Sequence, residues 1–180
     1  MYYGEEIGMT NSDPTRLEDV KDVVGKKGWP KEKGRDGERT PMQWDDSEYA
    51  GFSTAKPWLP VPPNKTEINV KAEEADPNSL LNWYEALIRL KKTNPVFISG
   101  ENVMLDTENT KVLSWLRKGP GKAAVVVATN FTAEPQTVNL SAGVPSGKLK
   151  TLLKTPGSGD PAGLDKIELP AFGVYIGQVE

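Results

Sequence analysis

The run Gly34-Arg35-Asp36-Gly37-Glu38-Arg39-Thr40-Pro41-Met42-Gln43-Trp44-Asp45 places two arginines, three acids, an amide and a tryptophan within twelve residues. Gly and Pro disfavour a helix, and so many charges do not make a core segment, because charged side chains are rarely buried unless paired. The run reads as a polar, backbone-restricted loop whose side chains converge on something hydrophilic. Arginine forks and carboxylates suit a polyhydroxylated ligand, and Trp44 offers a flat apolar face. The plainer alternative is a solvated loop held by its own ion pairs.

Other segments frame this loop. Tyr2-Tyr3-Gly4-Glu5-Glu6-Ile7-Gly8-Met9-Thr10 precedes it; Ala50-Gly51-Phe52-Ser53 and Pro57-Trp58-Leu59-Pro60-Val61 follow. Ile68-Asn69-Val70 and Asp76-Pro77-Asn78-Ser79-Leu80-Leu81-Asn82-Trp83-Tyr84 come next. In this order they resemble the C-terminal third of α-glucosidases of glycoside hydrolase family 13, the α-amylase family, in its oligo-1,6-glucosidase and maltase branch. The resemblance is strong over residues 2–98 and weaker beyond, where Val125-Val126-Val127-Ala128-Thr129-Asn130-Phe131 matches best. Gly37 departs from the pattern, since many members of this branch carry an asparagine there, and Pro170-Ala171-Phe172-Gly173 departs near the end.

The resemblance implies a mixed fold: the end of a (β/α)8 barrel, then an antiparallel β-sandwich called domain C. Tyr2 to Gly4 would end the eighth barrel strand, residues 5 to about 76 would form the long loop after it, and residues 78–93 the eighth helix. The expected domains are residues 1–95, the C-terminal remnant of the catalytic barrel with its substrate-side loop, and residues 96–180, domain C. Catalytic residues of such barrels sit on the loops after the strands, so this loop would border the substrate. The resemblance implies a substrate-binding set of Arg39, Arg35, Asp36 and Gln43. Arg39 would lie against the terminal sugar, and the other three would organise the loop.

No catalytic residue transfers to this sequence. Retaining glycoside hydrolysis needs a carboxylate nucleophile and a carboxylic acid/base roughly 5 Å apart. In the family these groups come from earlier strands, and the chain contains no histidine. Glu5 and Glu6 are adjacent, and neighbours in an extended segment face opposite ways. They are therefore read as strand-end or loop structure. Met1 fits as an internal residue of the eighth strand, which suggests a piece of a longer enzyme.

Composition narrows the partners. The net charge is −3 with no basic block, which argues against nucleic acid. No apolar run approaches the roughly 20 residues that span a membrane. The first residues, with Glu5 and Glu6 and no basic region, do not read as a signal peptide. The absence of cysteine excludes disulfides and thiolate metal sites and leaves the compartment open, with the cytoplasm slightly preferred. No metal constellation and no cofactor is expected. The acids of residues 13–22, scattered among Lys and Arg, read as a solvated face.

Residues 10–77 hold few periodic apolar positions; Leu17, Val20 and Val24 suggest one or two helical turns. Trp29, Trp44, Phe52 and Trp58 are suited to stacking on sugar rings, but loop anchoring is the commoner use of large aromatics. Pro57, Pro60, Pro62 and Pro63 favour extended backbone. Residues 78–93 predict a helix capped by Asn78 or Ser79, with an apolar stripe of Leu80, Leu81, Tyr84, Leu87 and Ile88 and cations at its end. Strands are predicted at 112–117, 123–128, 137–140, 149–153, 167–169 and 174–176, the second being central and buried on both faces. A turn is expected over Lys118 to Lys122.

The leading reading is the C-terminal segment of an α-glucosidase acting on short α-glucosides by a retaining mechanism, inactive alone. Its partners would be an α-gluco-oligosaccharide and the missing barrel portion. The alternative is a stand-alone carbohydrate-binding or interaction module, in which the uncovered helix stripe would drive self-association.

Overall fold

The computed structural model describes residues 1–121, 123–144 and 147–180. They form two compact units, Met1–Tyr84 and Glu85–Glu180. Lys122, the end of the expected turn, lies outside the described residues.

The first unit contains no strand among its described residues. It holds 3-10 turns at Glu5–Ile7, Leu17–Asp19 and Pro63–Thr66, and short helices α1 (Val23–Gly28) and α2 (Val70–Ala75). Tyr2 to Gly4 do not form a strand: they end in a turn, because a strand needs a neighbour to complete its ladder and none is present. Glu5 and Glu6 are not extended either. Gly4 and Gly8, at φ 88° and 66°, bracket a 3-10 turn there, a left-handed geometry that glycine adopts freely. The one or two helical turns expected through Leu17, Val20 and Val24 form as the 3-10 turn Leu17–Asp19 and α1. Val20 is buried between the 3-10 turn and α1, while Leu17 and Val24 stay exposed.

Helix α3 spans Leu80–Thr93. Ser79 is its cap: the hydroxyl accepts the Asn82 amide at 3.1 Å and donates to the Glu73 carbonyl at 2.8 Å. The stripe is only partly covered. Leu87 packs, with Leu90, on the sheet residues Val125, Val127 and Ile176, whereas Leu80 and Ile88 are exposed.

After α4 (Pro95–Ser99) the second unit is all β. Its strands are β1 (Glu101–Leu105), β2 (Val112–Lys118), β3 (Ala124–Asn130), β4 (Gln136–Val138), β5 (Leu149–Lys154), β6 (Ile167–Leu169) and β7 (Val174–Val179). A five-stranded antiparallel sheet runs β1-β2-β3-β7-β5, and β4 pairs with β6. The apolar run in β3 is explained by its central place. Alternate residues face opposite sides, so Ala124, Val126 and Ala128 join Leu116, Ile167 and Tyr175 in one core, while Val125 and Val127 face the other. Full burial of each valine contributes about 1.5–3 kcal/mol. At the end of β3, Asn130 is buried with its side-chain polar groups used. Its amide nitrogen donates to the Glu134 and Pro170 carbonyls, both at 2.8 Å, and its oxygen accepts from Thr132.

Candidate substrate-side loop

Two carboxylates tie the 34–39 loop to the segment before α1. Asp36 is buried, and its side chain accepts the Lys21 amide at 2.6 Å and the Asp22 amide at 3.0 Å. Asp22 returns the contact: it caps α1 by accepting the Val24 amide at 2.7 Å, and also accepts the Arg35 amide at 3.4 Å. Each carboxylate thus satisfies backbone donors on the other's strand of chain. Gly34, at φ +71°, allows the approach, since a Cβ there would lie 2.9 Å from the Asp22 side chain.

This clasp presents Arg39. Its amide donates to the Asp36 carbonyl at 3.1 Å, closing the turn. Its Nη1 lies 3.6 Å from Asp22 Oδ2, and the Arg39 side chain is 47% exposed against 11% for Asp22. Tyr3 braces the chain beside it, donating its hydroxyl to the Thr40 carbonyl at 2.8 Å. Burial pushes the Tyr3 phenol up, with Arg39 opposing. The Val24 amide, then those of Arg35 and Gly25 and the Arg39 charge, hold Asp22 below the usual carboxylate range. Asp22 is therefore not part of a solvated face. It organises the loop in a way that sequence reading missed, and its only local signal was the N-cap position ahead of Val23.

The four residues expected at the substrate divide into two kinds. Arg39 and Arg35 are exposed, Arg35 lying 4.0 Å from Glu38. Asp36 and Gln43 face inward: the Gln43 side-chain nitrogen donates to the Ile68 carbonyl, and the Gln43 backbone carbonyl accepts the Val70 amide at 2.9 Å. They stitch the loop, and the two arginines are left facing outward. Trp44, Phe52 and Trp58 are exposed, Trp58 by 74%, and only Trp29 is half-buried, under the Lys33 ammonium. Trp58 lines a cavity of about 490 Å³ with Asp13, Asp19, Lys21 and Lys56. Glu5 accepts the Tyr2 amide at 3.0 Å, a local structural role. Among the described residues no group of three metal-ligating side chains is assembled, and no helix is long and apolar enough to cross a membrane.

Comparison with known proteins places this geometry in a family. The α-amylase catalytic domain matches residues 1–100, and the α-amylase C-terminal all-beta domain matches residues 103–174. The chain belongs to the α-amylase family. It is 40% identical to an oligo-1,6-glucosidase of Parageobacillus thermoglucosidasius, over 78% of this chain and 28% of that protein. It is 38% identical to a glucan 1,6-alpha-glucosidase of Streptococcus pneumoniae, over 85% of this chain and 30% of that one. The trehalulose synthase of Pseudomonas mesoacidophila superposes with a TM-score of 0.83 at 33% identity, covering 98% of this chain and 34% of that structure. The chain thus spans about a third of the length of these relatives, and its fold is the corresponding part of an α-amylase-type catalytic domain followed by an all-β domain.

Proposed function

We propose that these residues form the C-terminal part of an α-glucosidase that hydrolyses short α-glucosides by the retaining route, with residues 1–95 completing the catalytic barrel and 96–180 forming domain C. What supports it is the family membership, together with an outward-facing Arg39 held on the clasp between Asp22 and Asp36. Arg39 donates to hydroxyls of the glucose at the cleaved end; its planar fork suits paired oxygens better than a lysine would. Arg35, Asp36 and Gln43 keep that loop in shape. The nucleophile and the acid/base belong to the barrel portion, which would supply the covalent intermediate and its hydrolysis.

The reading is tested in two steps. Purified 180-residue protein is assayed on isomaltose and maltose, where no turnover is expected; turnover would overthrow the division of labour. The reading frame upstream of Met1 is then examined for a barrel bearing the carboxylates, and unrelated sequence there would sink the parent enzyme. Exposed Trp44, Phe52 and Trp58 favour a second reading, a carbohydrate-binding module. Calorimetry with millimolar isomaltose decides it, since absence of heat removes it.

A further inference from the structure

We propose that Asp22 is a positioning residue for Arg39, pinning one edge of the guanidinium so that the remaining donors point outward toward a neutral sugar hydroxyl pair. The sugar part rests on the function proposed above; the pinning does not.

Three observations carry the pinning. Asp22 Oδ2 faces Arg39 Nη1 at 3.6 Å from an almost closed environment, with an 11% exposed side chain. The carboxylate cannot swing away, because Oδ1 is committed to the Val24 amide and Oδ2 to the Arg35 amide. The Asp22 backbone is itself fixed by Asp36, and the Arg39 backbone by the Asp36 carbonyl on one side and the Tyr3–Thr40 contact on the other. A carboxylate so constrained restricts a long side chain at little further cost in its own entropy. It also sets a negative charge beside Arg39, which disfavours an anionic ligand relative to a neutral hydroxylated one. Tyr3, Arg35, Asp36 and Glu38 also lie in this loop region; Tyr3 bonds the Thr40 carbonyl, Asp36 the Lys21 and Asp22 amides, and Glu38 lies 4.0 Å from Arg35.

The test is nitrogen-15 NMR of the 180-residue chain. In the wild type the Arg39 Nε–H and Nη–H signals should be resolved, reporting hindered rotation. Asp22→Asn keeps an oxygen for the Val24 amide while giving up the long Arg35 contact together with the charge, and should collapse the Arg39 Nη signals to the free-arginine average while the backbone amides other than that of Arg35 stay in place. Unchanged Arg39 signals in a folded D22N overturn the proposal. If D22N unravels α1, Arg39→Gln decides instead: the Asp22 carboxyl carbon should titrate at higher pH than in the wild type, and an unmoved titration overturns it. Adding isomaltose addresses the sugar separately. A shift at Arg39 supports the sugar role. Intact pinning without a shift on a barrel-completed chain removes that role and leaves Asp22 as assigned.

Discussion

In residues 1–84 side chains reach for backbone; in residues 85–180 backbone reaches for backbone. The first unit closes its long loop with Asp22, Asp36, Asp45, Gln43, Asn69 and Glu73, each accepting or donating to main-chain groups. The second closes on antiparallel ladders around β3 and two apolar faces. The difference teaches where each unit is vulnerable. A loop fixed by carboxylates depends on their ionisation and on single side chains, whereas a sheet depends on the volume of its core.

That contrast can be broken most forcefully in the core. Leu116→Ala, at a fully buried position, should cost about 2–5 kcal/mol. Amide exchange should accelerate across β2, β3 and β7 while the amides of Lys21 and Asp22 keep their protection. Equal acceleration in both units would show that they do not open separately. Asp36→Ala should reverse the pattern. It orphans two part-buried amides, at a cost of about 1–3 kcal/mol, and should be visible as urea-dependent loss of the 34–39 loop signals with the sheet intact.

Acid should separate the units more gently. Asp19, held low chiefly by its hydrogen bond from Arg16, Asp22 by the Val24 amide, and Asp45 by Ser47 all have depressed folded-state values. Their stabilisation is complete above the ordinary carboxylate value near pH 4, and is lost as pH falls through the lower folded values. Asp160, paired with Lys154, shares this behaviour, but the ladders around it do not titrate. Pepsin below pH 4 should therefore cut first within residues 10–60 and leave 101–179 as the resistant piece; the opposite order would refute the contrast. At the small end, Lys166→Ala removes an exposed pair with Glu168 and should leave the urea midpoint unmoved.

The same contrast explains what was legible in the amino-acid sequence. β3 was readable because a strand buried on both faces is a continuous apolar run, and α3 because capping and periodicity agree. β1 escaped because an edge strand with exposed Glu101, Asn102 and Met104 shows little alternation. Arg39 was marked by its motif. Asp22 was not, because its partners stand 13 and 17 residues downstream, and locally only its place ahead of Val23 distinguishes it from exposed Asp13 or Glu18. Helix α1 was legible only as a turn through Val24, since its six residues carry too little periodicity to fix their bounds.

The five-stranded sheet ends on β5, whose outer backbone has no strand beside it among the described residues. Lys150 and Lys154 and the irregularity between Thr151 and Leu153 lie along that border. Charges and bulges of this kind keep an open sheet border from recruiting a second molecule. Colloidal behaviour in concentrated solution would therefore rest on a few surface lysines, and chemical acetylation of the preparation would be expected to turn a dispersed protein into strand-joined aggregates.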